Sequence, residues 1–207
     1  QAGYYAVYSG QKAYNGVAIL SRHRAEDEVF DIPDLQDTDR RILAGTFNGV
    51  RVLNLYVING QQVGTEKYTY KLNWLATLTA FVADELRRHG QLLVLGDFNI
   101  APEDQDVHDP GAWREKILCS TPERQSLRRL VSLGLSDTFR LFEQSENSFT
   151  WWDYRAGSFR RNLGLRIDLI LASRAIANVC RRAYIDKAPR KLDRPSDHTP
   201  VVAEFDV

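Results

Sequence analysis

The 207-residue chain has no methionine, only two cysteines and seven prolines. Cys119 and Cys180 have no metal-like spacing, and with so few cysteines a reduced, cytoplasmic setting is the default expectation. No apolar run approaches the roughly 20 residues of a membrane span, so no membrane partner is expected. No signal peptide, repeat or low-complexity stretch is visible. Neither sign of charge is in excess: 27 basic side chains face 27 acidic ones, so global charge says nothing for nucleic acid. The missing initiator and the opening Gln1-Ala2-Gly3-Tyr4-Tyr5 read as a chain that has lost its natural N-terminus. What is present is 43% hydrophobic content, enough for one domain, residues 1–207, with a substantial core.

Charge is distributed unevenly. Tyr154 to Arg194 carries eleven Lys or Arg against three Asp, a local +8 balanced by −8 elsewhere. A positive segment facing an acidic remainder suits a protein that holds a polyanion near carboxylates. A scattered solvated surface is the plainer alternative.

The elements alternate. Val17–Leu20 reads as a strand. Arg41–Phe47 and Arg51–Val57 read as two strands joined by Asn48-Gly49, a strong hairpin signal. Thr65 caps a helix to about Arg88, with Leu72, Leu75, Leu78, Val82 and Leu86 as its apolar stripe and Gly90 as its stop. Leu92–Leu95 follows as a buried strand. Thr121-Pro122-Glu123 announces a second helix, with Thr121 as cap, Leu127, Leu130 and Val131 as its stripe, and Gly134 closing it. Phe149–Tyr154, Leu165–Ala172, Val179–Ile185 and Val201–Phe205 read as further strands. Helices and long apolar strands together imply an α/β fold with covered sheets.

Polar groups interrupt this pattern at a few points. Gly96-Asp97-Phe98-Asn99 ends the Leu92–Leu95 strand. In an extended chain Asp97 and Asn99 point the same way, so a carboxylate takes a proton from water while an amide orients that water. A turn in which Asn99 stabilises its own backbone is the alternative. Asp168 breaks the apolar run from Leu165 to Leu171, and a buried carboxylate needs a partner. His198 is the natural one, and an imidazole so held donates to a phosphate oxygen. A purely structural pair, with His198 or with Arg166, is the alternative. Asp197 is suited to a hard cation such as Mg2+. Tyr56, before Asn59-Gly60, either bonds a phosphate oxygen or packs at a strand end. Phe149, Trp151, Trp152, Tyr154 and Phe159 interleave with the basic segment, as in stacking on bases.

Together these strings resemble the exonuclease III family of apurinic/apyrimidinic endonucleases, within the endonuclease/exonuclease/phosphatase superfamily. The matching strings are Tyr56–Gly60, Gly96–Pro102, Phe149–Arg155, Gly164–Leu171 and Arg194–Pro200, in family order. The resemblance implies a four-layer sandwich: two mixed β-sheets face to face, helices outside. It implies Mg2+- or Mn2+-dependent hydrolysis of double-stranded DNA 5′ to abasic sites, or removal of 3′ nucleotides and 3′ blocking groups, by a monomer. It makes Asp97 the activator of water, Asn99 its orienter, and His198 (held by Asp168) the contact to the scissile phosphate. Asp197 supports the metal and Tyr56 binds phosphate near the leaving group. Trp151, Leu165 and Ile167 line the pocket for the base-less sugar, with Arg166 in the same string assigned to substrate binding. Family members often carry an aromatic where this chain has Leu165, which leaves the preferred substrate open.

Family members begin with a strand bearing Asn and a strand ending in Gln-Glu, whose Glu is the principal metal ligand. Nothing before Tyr4 supplies it, and Glu26 and Glu28 are no substitutes. The chain as written is therefore expected to bind metal poorly, hydrolyse DNA weakly and be less stable. Two rivals stand beside this reading. One is a phospholipid or inositol phosphate hydrolase of the same superfamily. The other is a nucleic-acid-binding regulator that kept the scaffold without catalysis.

Overall fold

The structure, a computed structural model, describes residues 3–33, 35 and 39–207. Strands β1 (Tyr5–Gly10) and β2 (Gly16–Ser21) pair antiparallel. Next come β3 (Glu26–Val29), β4 (Ile42–Phe47) and β5 (Val50–Tyr56). Helix α1 (Glu66–Arg88) leads to β6 (Leu92–Asp97), a short helical turn α2 (Pro110–Trp113) and helix α3 (Thr121–Val131). Then follow β7 (Leu135–Asp137), β8 (Asp168–Ser173), the turn α4 (Arg174–Ala177), β9 (Cys180–Ile185) and β10 (Val201–Phe205).

Six of these strands form one mixed sheet in the order β3-β4-β5-β6-β8-β7. Only the β5–β6 pair is parallel, and α1 is its crossover, as a parallel connection requires. Leu53 and Leu55 point to one face, where Trp74, Leu75, Leu78 and Val82 of α1 and Leu127 and Leu130 of α3 complete the main core. The alternate residues point to the other face. There Asn54 donates to the Ala18 carbonyl of β2 (2.9 Å), and Phe205 of β10 packs with Val52 and Leu93. The ladders β1–β2 and β9–β10 thus lie over the sheet on the side away from α1 and α3. Among the described residues no helix is long and apolar enough to cross a membrane.

Local chemistry explains the boundaries. Asn48 (φ 50°) and Gly49 (φ 82°) are both left-handed, as a two-residue primed hairpin turn demands. Thr65 caps α1, its hydroxyl accepting from the Tyr68 N–H. The helix ends at Arg88 with His89 extended, so Gly90 supplies no left-handed cap. The α3 cap is Ser120, one residue before Thr121, because its hydroxyl and Glu123 make a reciprocal capping box. The expected strand Phe149–Tyr154 is only a pair of isolated bridges: Trp151 faces Leu165 on one side and His198 on the other. Strand β8 starts at Asp168, three residues later than the apolar run suggests. The buried face of α1 also carries Lys71 and Glu85, which the leucine stripe does not reveal.

Candidate active site

Three central strands bring their polar ends into one row. Tyr56 is paired in register with Asp97 across β5–β6, and Asp97 with Asp168 across β6–β8. The row is close-packed because residue 96 is glycine. Gly96 has φ +132°, and a Cβ there would lie 2.0 Å from the Leu55 carbonyl oxygen. Arg41 lies over the Tyr56 ring, 5.0 Å from its centre.

His198 closes the row. Its Nδ1 sits 2.9 Å from Oδ2 and 3.2 Å from Oδ1 of Asp168. The segment that carries it is laced in place by backbone bonds: Trp152 N–H to the Asp197 carbonyl (3.0 Å) and Thr199 N–H to the Thr150 carbonyl (2.8 Å). The Thr150 hydroxyl accepts from the Ile167 and Asp168 N–H groups at 3.0 and 3.1 Å, tying this lacing to the start of β8. Tyr154 donates to the Pro195 carbonyl, and the Arg190 guanidinium to that of Ser196. Arg190 is packed against Phe159, with its Nε buried and unpartnered.

Asp97 is held just as firmly. Its Oδ1 accepts from the Asn99 N–H (2.8 Å) and its Oδ2 from the Asn99 amide (2.9 Å). The same amide also donates to the Val57 carbonyl, and its oxygen accepts from Asn59. Both amide protons of Asn99 are therefore committed. In this structure the Asn99 amide, expected to orient a water, is bonded to the Asp97 carboxylate and the Val57 carbonyl. Its backbone is left-handed (φ 48°), so the local turn and the catalytic reading coexist.

Burial and the neighbouring Asp168 charge push the Asp97 carboxyl up to about 7, against the opposing pull of His198, the Asn99 N–H and Lys71. For His198, burial works to lower the pKa. The hydrogen bond to Asp168 and the charges of Asp168, Asp97 and Asp197 outweigh it and hold the imidazole up at about 9. A carboxyl poised near neutrality beside a cationic imidazole is suited to moving a proton and neutralising an anion.

The remaining expected residues divide. Asp197 is half-buried, and its Oδ2 accepts from the Trp151 indole N–H (3.0 Å). Leu165 (0% exposed) and Ile167 (2%) lie in a closed apolar cluster with Ala101, Val107, Leu118 and Cys119, against which Trp151 packs. They form the floor beneath Trp151 and no open pocket. Arg166 is not available to a substrate: it is 1% exposed, and its guanidinium is bonded to Asp106 and Asp137 at 2.7 Å each. An ion network absorbs it: Asp106 also meets Arg140, so two guanidinium groups and two carboxylates offset one another. Arg190 is likewise buried, so the positive segment presents fewer cations than its sequence suggests. Sequence reasoning missed Asn59, Lys71, Glu123 and Arg190. No local pattern marks Asn59, Lys71 or Glu123, because they meet partners far off in sequence.

The chain belongs to the endonuclease/exonuclease/phosphatase family, whose model matches residues 1–198. It is similar to the exodeoxyribonuclease III of Haemophilus influenzae, 34% identical over 216 residues that cover 98% of this chain and 81% of that protein. Its fold is similar to that of a 3′ phosphatase from Neisseria solved with a product DNA hairpin. That likeness has a TM-score of 0.97 and 50% identity, covering 99% of this chain and 80% of the other. It is also similar to an AP endonuclease from Archaeoglobus fulgidus, with a TM-score of 0.94 and 38% identity over 99% of this chain and 80% of that one. The layered α/β arrangement implied by the family resemblance agrees with these likenesses, although among the described residues the second layer is two separate antiparallel ladders and not one mixed sheet.

Proposed function

We propose that the chain is a DNA-repair phosphohydrolase, acting as a monomer on duplex DNA at abasic sites and at 3′ ends that carry nucleotides or blocking groups. One observation carries this reading: the registered row Tyr56–Asp97–Asp168, closed by His198. Asp97 takes the proton of an attacking water, with Asn99 fixing both carboxylate oxygens. His198, cationic because Asp168 faces it, donates from its free ring nitrogen to a phosphate oxygen and stabilises the charge that develops there. The Tyr56 phenol bonds the phosphate near the leaving oxygen. Trp151 offers a ring beside the reacting group, as suits a nucleotide or an unpaired sugar.

Enzymes of the exonuclease III family depend in general on a divalent metal ion. Among the described residues no three His, Cys, Asp or Glu side chains lie close enough to enclose one. Mg2+ and Mn2+ are also held by one or two carboxylates completed by water and substrate phosphate oxygens. Asp197, with Oδ1 left open by the Trp151 bond, fits that partial role. The ion would supply charge neutralisation on the phosphate. A set this sparse implies weak binding until DNA adds its oxygens. Titration with Mn2+ alone is expected to show little affinity, and titration with DNA present a clear gain.

The reading is tested on three labelled substrates: an abasic duplex, a hairpin with a 3′ phosphate, and an inositol phosphate. Mg2+-dependent product from either DNA and none from the inositol compound is expected. Metal-independent binding of RNA or DNA with no product, also from a form extended at the N-terminus, would select the non-catalytic regulator, and inositol phosphate turnover alone the lipid-type hydrolase.

A further inference from the structure

A lysine buried beneath the candidate site has no part in the chemistry just described. Lys71 of α1 is 0% exposed, although an ammonium group is among the costliest groups to remove from water. All three of its protons are used. They go to the Asn59 carbonyl (3.1 Å), the Asn99 carbonyl (2.7 Å) and Oε1 of Glu123 (2.5 Å). Glu123 is equally buried. It also accepts from the Leu118 and Ser120 N–H groups and from the Ser120 hydroxyl, so it caps α3 with or without the lysine.

The two carbonyls that Lys71 holds belong to the loops after β5 and β6. Those loops follow directly on Tyr56 and Asp97 of the row, and Asn99 sits in the left-handed region. Asparagine enters that region more readily than other side chains, and here its carbonyl, its N–H and its amide are all held by hydrogen bonds. That backbone conformation is what aims both the N–H and the side-chain amide of Asn99 at Asp97. Room for the lysine is also built in: Gly60 is left-handed (φ +87°), and a Cβ on it would come within 3.0 Å of Lys71 Cδ. A helix cap alone needs none of this.

We propose that Lys71, anchored by Glu123, is a positioning residue: it clamps the Asn59 and Asn99 carbonyls together and so locks Asn99 in the geometry that aims the Asp97 carboxylate. This rests on the function proposed above only for its kinetic consequence. The clamp also places a cation near Asp97. The other charged groups facing Asp97 are Asp168 and His198. Removing Lys71 withdraws one of the two cationic influences, so the carboxyl should release its proton at higher pH.

The test compares the unaltered chain with Lys71→Met and with the double variant Lys71→Met/Glu123→Gln. The double variant removes the stranded charge yet keeps an acceptor for the α3 cap. The proposal expects the double variant to fold, with KM within threefold of the unaltered chain and kcat reduced 10- to 100-fold. It also expects exchange of the Asn99 amide hydrogen to accelerate while that of Val94 in β6 does not, and the acidic limb of the pH–rate profile to move upward. A folded double variant with unchanged kcat and unchanged Asn99 exchange overturns it. So does a loss of kcat accompanied by neither faster Asn99 exchange nor a shifted limb. If the unaltered chain turns over no DNA, the proposed function falls, while Asn99 exchange still decides whether Lys71 is the clamp.

Discussion

Helix α1 buries an ion pair near each of its ends, and the two pairs do different things. Near its C-terminus Glu85 accepts from Arg51 of β5 at 2.5 Å, and Arg51 also donates to the Asp27 carbonyl at 2.6 Å. Near its N-terminus Lys71 meets Glu123 at the same distance. Both are almost fully buried, so burial alone does not distinguish them. Connectivity does. The bonds of Arg51 tie β3, β5 and α1 together at the end of the strands remote from the row. Those of Lys71 run through one left-handed residue to the carboxylate proposed to act on water. A buried pair becomes a candidate for function when its chain of bonds ends on a reactive group.

The widest gap between the two ends should come from Asp97→Asn. Its kcat is expected to fall at least a thousandfold, because the proton acceptor itself is removed. The same change should stabilise the protein. Asp97 holds its proton more tightly in the fold than in the unfolded chain. Its ionised form therefore costs stability above about pH 7, and the cost fades as pH falls from there toward the unfolded carboxyl range. A melting temperature raised at pH 8 and little changed at pH 4 is the expected result, read by calorimetry. Asp168→Asn should lower kcat about a hundredfold, since His198 loses the charge that keeps it cationic. A stopped-time assay on the abasic duplex measures it.

Arg51→Met sharpens the comparison from the other side. It strands Glu85 and should cost about 3–5 kcal/mol of stability, measured by urea unfolding, with kcat of the folded protein unchanged. A large loss of kcat there would erase the distinction between the two ends. Arg166→Met should likewise leave KM unaltered, since its guanidinium is held by Asp106 and Asp137. The smallest effect is expected at Arg155, exposed and paired with Asp153: Arg155→Ala should leave the melting temperature essentially unchanged, because a solvent-screened pair contributes little.

The sequence made the polar groups of the candidate site legible because each breaks a pattern. Asp168 interrupts an apolar run, Gly96-Asp97-Phe98-Asn99 ends a strand, and Ser196-Asp197-His198 lies between prolines. Helices α1 and α3 and the Asn48-Gly49 hairpin were legible from caps, spacing and turn chemistry. The supporting groups were not. Lys71 and Glu123 find each other across 52 positions, and Arg166 meets Asp106 across 60, so no local pattern records either pair. Spacing placed the Asn99 amide beside Asp97, but only the fold shows that its two protons are bonded to Asp97 and the Val57 carbonyl. Phe149–Tyr154 looked like a strand because its aromatics alternate. In the fold its neighbours are single residues, Leu165 and His198, and not a continuous ladder.

The closeness of the row at residue 96 has a consequence for how this molecule can vary. With the Leu55 carbonyl where a methyl group would have to go, even alanine must pry β5 from β6 at the spot where Tyr56 and Asp97 stand side by side. A saturation library at this codon, selected for turnover, should return one amino acid only. Selected merely for soluble expression, it should tolerate several, because the rest of the six-stranded sheet holds independently of its reactive tip.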